Sequence, residues 1–157
     1  MSGGQVYQRL MERLETRTAR VAVVGVGYIG LPTAAILASE GYDVVGLDVD
    51  KEKVEALNRG ECYIDEPDLP WIVAGVVDGG KLVGTIDPSR VSECDVIIFC
   101  TQTPLRRDDG PNLEILFSAV DSVLPHAKDN ILVVCESTVP PGTTQQIVDR
   151  FLATGRY

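Results

Sequence analysis

Short apolar runs alternate with segments of helical character along most of the chain. The runs typical of buried strands cover residues 21–25, 43–49, 81–86, 94–100 and 130–136. Helices are predicted between them, over 29–40, 51–59 and about 68–78, after Asn112, and from Gly142 onward. Strands that alternate with helices pair in parallel through right-handed crossovers. We therefore predict an α/β fold: a single Rossmann-type domain with a doubly wound parallel sheet in three layers.

Capping residues support these helix boundaries. Asp50 stands at an N-cap position, and Gly41 and Gly60 are placed to end the helices before them. Asn112 can cap the next long helix and Pro125 can stop it. These signals agree with the apolar pattern, so the order of elements follows from the sequence.

The segment before the first strand is less defined. Val6, Leu10 and Leu14 recur at every fourth residue, which is typical of a short amphipathic helix. A helix of that length is marginal in isolation. Residues 1–19 are therefore assigned as an N-terminal arm or short helix, either docked or frayed, and residues 20–157 as the Rossmann domain.

Composition and charge exclude several classes of protein. Hydrophobic residues make up 45% of the 157 residues, and no apolar run has the ~20 residues of a membrane helix. The formal charge of −9 argues against a nucleic-acid surface, which needs clustered Lys and Arg. The N-terminus has no apolar segment typical of a secretory signal. We expect a cytoplasmic protein with neither a membrane nor a nucleic acid as partner.

The four cysteines predict neither a metal site nor a disulfide framework. They form no CxxC pair, and the single histidine, His126, has no metal-ligand spacing to any of them. Two of them, Cys100 and Cys135, end apolar runs, where a small, soft side chain packs well. We expect four buried free thiols, a surface histidine with no chemical role, and no metal.

The stretch "GVGYIG" at residues 25–30 raises the question of nucleotide binding. It follows a predicted strand and opens a predicted helix, as the G-x-G-x-x-G pattern does in dinucleotide-binding domains. Gly25 permits the tight turn, Gly27 lets the backbone approach a pyrophosphate, and Gly30 lets the helix pack close to the strand. Tyr28 and Ile29 complete the turn, whose amide groups face the phosphates. A strand, turn and helix without a ligand is the alternative.

An acidic residue at the end of the second strand favours NAD over NADP. Asp48 is placed to accept hydrogen bonds from the adenosine ribose hydroxyls, and its charge would repel a 2′-phosphate. Lys53 is close enough to weaken this preference and is included among the cofactor-binding residues. A solvated position on the helix surface is the other interpretation of Lys53.

Two further loops follow strands whose carboxyl ends should meet at the same edge of the sheet. The first begins with Thr101, Gln102 and Thr103, and the second offers Ser137 and Thr138 before a rigid Pro-Pro-Gly turn. Hydroxyls at such positions can bind a cofactor or substrate, or can simply cap the loops. Arg106 and Arg107 could meet a phosphate, although "RRDDG" is also typical of a surface turn.

Together these stretches resemble the nucleotide-sugar dehydrogenases, which make uronic acids from UDP-sugars. The resemblance rests on "VAVVGVGYIGLPTA", "GLDVDKEKVEALNRGE", "IDEPDL", "TPL…GPNL" and "ESTVPPGTT", in the order of the family. Within the family, "NRGECYIDEPDL" and "TPLRRDDGPNL" look most like the UDP-N-acetyl-D-mannosamine dehydrogenase branch. The dehydrogenases of UDP-glucose and UDP-N-acetylglucosamine are alternatives.

The resemblance implies an oxidation of the sugar C6 alcohol to a carboxylate with two NAD, in which a cysteine captures the intermediate aldehyde as a thiohemiacetal. Thr138 falls on a threonine that helps to hold the water or oxygen at the reacting carbon, a supporting catalytic role. Thr103 falls on a threonine near the cofactor, Asp48 falls on the ribose-binding acid, and Thr101 and Ser137 stand beside them. The family's substrate is a UDP-sugar, and its members are homodimers or higher oligomers.

The chain departs from the family's pattern in two ways. Gln102 stands where relatives commonly carry Pro or Asn, which affects the shape of that loop. The catalytic cysteine, the dimerisation helix and the UDP-sugar domain of the family lie beyond the position of Tyr157. We expect a cofactor domain that does not complete the reaction alone. A non-catalytic module that senses NAD or NADH is the competing hypothesis, and another NAD-dependent dehydrogenase is the third.

Overall fold

The computed structural model describes residues 3–106 and 110–155, which form an α/β sandwich around one parallel sheet. The strands are β1 (Arg20–Val24), β2 (Asp43–Leu47), β3 (Leu82–Thr85), β4 (Val96–Phe99), β5 (Leu105–Arg106), β6 (Gly110–Pro111) and β7 (Leu132–Cys135). Five of them form the sheet in the order β3-β2-β1-β4-β7, all parallel. The order reverses between β1 and β4, as in the predicted doubly wound fold, which is confirmed.

Helices cover both faces of the sheet. They are α1 (Gly3–Glu15), α2 (Gly30–Ser39), α3 (Lys51–Asn58), α4 (Leu69–Asp78), α5 (Glu114–Val123) and α6 (Thr143–Ala153), with a 3₁₀ helix at Pro88–Glu93. Alternate residues of β1 enter opposite cores: Val21 and Val23 pack with α2 and α4, whereas Ala22 and Val24 pack with α5 and α6. Two apolar cores on either side of one sheet explain why β1 is apolar at every position after Arg20.

Asp50, Gly41 and Gly60 act as predicted, whereas Asn112 lies one residue before the N-cap of α5, Leu113. The Asp50 side chain accepts hydrogen bonds from the amides of Glu52 and Lys53, and the Asn112 side chain accepts one from the amide of Glu114. Gly41 and Gly60 follow α2 and α3 with φ of +101° and +73°, in the left-handed region that favours glycine.

The N-terminal helix α1 is docked on the sheet. Leu10 and Leu14 pack against the core that α2 and α4 share. The Tyr42 hydroxyl donates to the Leu14 carbonyl at 2.7 Å, and Arg13 lies 2.9 Å from the Asp95 carboxylate. Of the two possibilities for this segment, the docked helix is the one that the structure contains.

The structure differs from the sequence-based expectations in two places. A short antiparallel pair, β5 with β6, stands where a plain loop was expected, because strands of two residues leave no periodic pattern. Arg107 lies outside the described residues. The prediction of four buried thiols is wrong for two of them: Cys94 and Cys100 are buried, but Cys62 lies in a loop and Cys135 on the edge strand β7, and both are half-buried.

Within the described ranges, all helices are too short or too polar to span a bilayer.

Candidate cofactor-binding site

A cavity of about 610 Å³ opens at the carboxyl ends of β1, β2 and β4, where the strand order reverses. Of the predicted cofactor-binding residues, the structure brings to its wall Gly25, Gly27, Asp48, Lys53 and Thr101. Tyr28, Ile29, Gly30, Thr103, Ser137 and Thr138 are not among its lining residues. Ligands of doubly wound sheets bind at this position, so the cavity is the candidate cofactor site.

Gly25 and Gly30 hold the turn against the sheet. Gly25 has a φ of +91°, and a Cβ there would lie 3.0 Å from the Cys100 carbonyl oxygen on the neighbouring strand end. A Cβ on Gly30 would lie 1.7 Å from the Gly25 carbonyl oxygen, a distance that no side chain tolerates. The tight turn and the close approach of α2 to β1 therefore both require glycine.

Gly27 is different, because nothing in the protein requires it. Its φ lies outside the left-handed region, and an added Cβ would meet no atom within 4 Å. Its amide, like those of Tyr28 and Ile29, donates to no acceptor within the described residues. Open space and unpaired amides at the start of α2 suit the oxygens of a pyrophosphate, so this part of the cavity fits a dinucleotide.

Asp48 lies at the end of β2 and is half-buried in the cavity wall. One carboxylate oxygen accepts from the Val26 amide at 2.9 Å and the other accepts from the Asp50 amide at 3.0 Å. Each oxygen keeps a lone pair for a ribose hydroxyl. Lys53 also lines the cavity, but its ammonium group lies 3.6 Å from the Asp50 carboxylate, so its charge is partly compensated.

The loops after β4 and β7 are tied together by their own hydroxyls. The Ser137 hydroxyl donates to the Thr101 carbonyl at 2.8 Å, and the Thr103 hydroxyl donates to the Thr138 carbonyl at 2.8 Å. The Thr101 hydroxyl lies 3.3 Å from that of Ser137. The exposed Thr138 hydroxyl has no hydrogen-bond partner within the described part of the chain. Three of these side chains thus set the loop shape, and Thr138 remains available.

Sequence reasoning missed the apolar part of the cavity wall. It is built from Val49 and Ile86 at strand ends and from one face of α5, with Ile115 and Ala119. Val49 is 99% exposed and Ile86 is 52% exposed, which is unusual for apolar side chains at the ends of buried strands. Ile115 is an apolar residue outside the buried stripe of α5. An apolar side chain at such a position is the sequence signal that could have indicated a ligand-facing role. An apolar wall of this kind suits the flat ring of an adenine.

None of the described residues brings a nucleophilic thiol or a metal site to this cavity. Burial raises the pKa of Cys100, the thiol in its wall, to about 11, so the thiol is neutral at pH 7. Groups of His, Cys, Asp and Glu that could hold a metal ion are absent from residues 3–106 and 110–155. The cavity can bind and orient a ligand but offers no covalent chemistry of its own.

Comparison with known proteins identifies the ligand. A family model described as "UDP-glucose/GDP-mannose dehydrogenase family, NAD binding domain" matches residues 19–156. UDP-N-acetyl-D-mannosamine dehydrogenase of Methanococcus maripaludis is 44% identical over 135 residues, which are 83% of this chain and 31% of that protein. The enzyme of the same name from Escherichia coli K12 is 40% identical over 131 residues, 30% of its length.

Solved structures agree with these sequence relatives. UDP-D-ManNAc dehydrogenase of Pyrococcus horikoshii superposes with a TM-score of 0.82 at 42% identity, over 85% of this chain and 32% of that one. GDP-mannose dehydrogenase of Pseudomonas aeruginosa superposes with a TM-score of 0.81 at 28% identity, over 87% and 32%. The chain thus spans about a third of the length of the relatives it matches.

The fold and the glycine turn define a dinucleotide-binding domain of a dehydrogenase. The chain belongs to the UDP-glucose/GDP-mannose dehydrogenase family, in its NAD-binding domain, and NAD is the cofactor. The family resemblance, the fold class and the choice of NAD predicted from the sequence are confirmed.

Proposed function

We propose that this chain provides the cofactor half of a UDP-N-acetyl-D-mannosamine 6-dehydrogenase, an enzyme that oxidises the sugar C6 alcohol to a carboxylate with two NAD. The observation that carries the proposal is the open space beside Gly27, where an added Cβ would meet no atom within 4 Å. The chain is also 44% identical to an enzyme of that name. UDP-glucose or UDP-N-acetylglucosamine as the substrate is the alternative, since a UDP-glucose dehydrogenase of Pyrobaculum islandicum superposes at 33% identity.

The proposed roles of the residues follow from their places in the cavity. The amides of Gly27, Tyr28 and Ile29 bind the pyrophosphate, and Asp48 binds the adenosine ribose. The adenine ring packs against the apolar side chains of the cavity wall, which are Val49, Ile86, Ile115 and Ala119. NAD held by these residues would supply the hydride acceptor for the oxidation of the sugar carbon.

The other end of the cleft is proposed to receive the nicotinamide and the sugar. Ser137 and Thr103 fix the two loops there, and the Thr138 hydroxyl is left free to hold an oxygen at the reacting carbon. Cys94 and Cys100 are buried and neutral at pH 7, and burial also raises the pKa of Cys135. We infer that the thiol, the sugar-binding groups and the subunit contacts of a cytoplasmic homo-oligomer belong to the other two thirds of such an enzyme.

The test is calorimetric titration of the chain with NAD, NADP and UDP-N-acetyl-D-mannosamine. We expect heat from NAD, much less from NADP and none from the sugar nucleotide alone, because Asp48 disfavours a 2′-phosphate. Asp48→Asn keeps an acceptor for the Val26 amide and should reduce the preference for NAD.

A second measurement mixes the chain with both NAD and the sugar nucleotide and follows the formation of NADH by its absorbance. We expect no NADH, because the reacting thiol and the sugar-binding groups are proposed to belong to the other two thirds of the enzyme. Binding of the sugar nucleotide without NAD, or formation of NADH, would contradict this division of roles.

A further inference from the structure

Both backbone polar groups of Val26, the residue before Gly27, are held by hydrogen bonds. The Val26 carbonyl accepts a hydrogen bond from the Tyr63 hydroxyl at 2.7 Å. The amide of the same Val26 donates to Asp48 at 2.9 Å. Val26 itself is fully buried, so water does not compete for either of these hydrogen bonds. The turn therefore has a fixed orientation at Val26 before any ligand arrives.

The orientation of the Val26 carbonyl determines the direction of the Gly27 amide. The two belong to one peptide unit, and since the described chain has no cis peptide bonds, the N–H points opposite to the C=O. The carbonyl faces Tyr63, so the Gly27 N–H faces away from it. That N–H has no acceptor among the described residues, and Gly27 lines the cavity.

We propose that Tyr63 is a positioning residue for NAD: its hydroxyl holds the Val26 carbonyl and thereby aims the Gly27 amide at the cofactor pyrophosphate. The inference rests on the proposed binding roles of the glycine turn and extends them to a residue of the loop between α3 and α4. A hydrogen bond at the carbonyl also polarises the peptide, which makes the N–H on its other side a better donor.

Two properties of Tyr63 suit it to this role. Its ring is half-buried and packs against the core on the α2 side of the sheet, so the hydroxyl has a fixed place. Burial, followed by the negative charge of Asp48, raises the pKa of Tyr63 above its ordinary value. The hydroxyl therefore keeps its proton, and remains a donor, at neutral pH.

The chain offers a matched control for removing this hydroxyl. Tyr42 is also half-buried, and its hydroxyl donates to a backbone carbonyl, that of Leu14, at the same distance of 2.7 Å. That bond lies at the other end of the sheet, where α1 docks. Tyr63→Phe and Tyr42→Phe thus remove the same kind of hydrogen bond, near the cofactor site in one case and far from it in the other.

The experiment measures the dissociation constants of NAD, ADP and adenosine for the wild type and both variants, by calorimetry and by NMR titration for the weakly bound adenosine. We expect Tyr63→Phe to raise the dissociation constants of NAD and ADP about three- to tenfold, which is the effect of losing one neutral hydrogen bond. Adenosine, which has no phosphate, should bind all three proteins equally. Tyr42→Phe should bind all three ligands like the wild type. Urea unfolding should show that the two variants are destabilised to a similar extent.

NAD and ADP affinities that are equal in the wild type and Tyr63→Phe would overturn the inference. So would an equal loss for adenosine, which would mean a general disturbance of the site. If the wild type binds none of the three ligands, the cofactor site itself is wrong and the inference falls with it. The amide proton of Gly27 gives an independent readout: its NMR shift on adding ADP should shrink in Tyr63→Phe and persist in Tyr42→Phe.

Discussion

Gly27 and Gly30 stand in the same turn, yet a methyl group has opposite consequences at the two positions. At Gly30 it would overlap the Gly25 carbonyl oxygen, and at Gly27 it would project into open space. Gly30 is required by the packing of the protein, whereas Gly27 is the one proposed to bind the ligand. The distinction separates stability from binding in a way that can be measured.

We expect Gly30→Ala to lower the free energy of unfolding by about 3 kcal/mol, the upper end of the usual cost of overpacking. Gly27→Ala should leave it unchanged or raise it by roughly 0.4–1 kcal/mol, because alanine restricts the unfolded chain. The same Gly27→Ala substitution should lower the affinity for NAD about tenfold or more, since the alanine Cβ would occupy the space proposed for the pyrophosphate. Urea unfolding and calorimetry test the pair. A Gly27→Ala variant that binds NAD normally would contradict the proposed approach of the ligand.

The cysteines allow a test of burial at single residues. Burial raises the pKa of both Cys94 and Cys100 to about 11, and it also raises that of Cys135. Thiolates form only as the pH approaches the raised pKa, so these thiols should react slowly with iodoacetamide at pH 8. Mass spectrometry of the folded chain should show Cys62 labelled before Cys94 and Cys100. Early labelling of Cys100 would mean that the cavity wall opens.

At the level of single residues, the sequence predicted the glycine turn and Asp48 but not the apolar wall of the cavity. Glycine spacing and a strand-end carboxylate are local patterns, so both can be recognised without knowing the fold. Ile86 and Ile115 come together only through the packing of α5 beside the sheet, and Tyr63 reaches Val26 from a loop of irregular sequence. Such contacts depend on tertiary structure, which local patterns do not contain.

Among the secondary-structure elements, α1 depends on one buried carboxylate. Asp95 is 7% exposed and accepts hydrogen bonds from the Arg20 amide at 2.9 Å and from Lys128 at 2.7 Å, with Arg13 of α1 at 2.9 Å. Burial alone would raise the pKa of Asp95, but the hydrogen bonds and the two cations outweigh it, and the pKa is lowered. The carboxylate therefore stabilises the fold in its charged form.

We expect Asp95→Asn to lower the free energy of unfolding at pH 7 by about 1.5–3 kcal/mol, the worth of hydrogen bonds to a charged group. Because the folded pKa lies below the unfolded value, the stabilisation is complete above about pH 4 and is lost as the pH falls through the folded pKa. The difference between wild type and variant should therefore shrink in acid. Urea unfolding at pH 7, 4 and 3 measures it. The matched control is Asp129→Asn, at an exposed residue that lines a small cavity together with Asp95 and Arg13, and it should change little at any pH.

Helix α3 protects the outer edge of strand β3. The Asn58 side chain accepts from the Gly84 amide at 2.7 Å and donates to the Gly84 carbonyl at 3.0 Å, as a neighbouring strand would. A Cβ on Gly84 would lie 3.2 Å from both Leu57 and the Val54 carbonyl oxygen, so the helix approaches closely. Unpaired strand edges promote association between chains, and Asn58 removes that risk on this side.

We expect Asn58→Ala to cost about 1–3 kcal/mol, because it leaves both polar groups of Gly84 without their partner in a partly buried place. The control is Glu55→Ala on the exposed side of the same helix, where only an ion pair with Lys51 at 3.5 Å is lost and the cost should be about 0.3–0.5 kcal/mol. Thermal unfolding compares the two variants. Equal losses would show that the Asn58 bonds contribute nothing beyond helix propensity.

The whole molecule has its two ends assigned to different tasks. The carboxyl ends of the strands form the cofactor cavity, and the amino ends bind α1 through Asp95 and Tyr42. The doubly wound topology was predictable because all five strands of the parallel sheet are apolar runs and most helices are marked by capping residues. The docking of α1 was not, since its alternative was an arm of the same sequence and the decisive partner, Asp95, lies far along the chain.

Binding of NAD should stabilise the entire domain through one site. At a free concentration of 100 times its dissociation constant, a ligand that binds only the folded state adds about 2.7 kcal/mol. We expect NAD to raise the melting temperature, and NADP at the same concentration to raise it less. Equal shifts with the two cofactors would mean that Asp48 does not face the 2′ position.

Asp48 carries a constraint on how this family could change its cofactor. The carboxylate that we propose to favour NAD also accepts hydrogen bonds from the amides of Val26 and Asp50, so it supports the glycine turn. A lineage that replaced it by a small neutral residue to admit a 2′-phosphate would lose both supports in the same mutational step. Admitting a 2′-phosphate at this position should therefore cost stability unless another residue supplies acceptors for these two amides, so the proposed cofactor choice is coupled to the architecture of the turn.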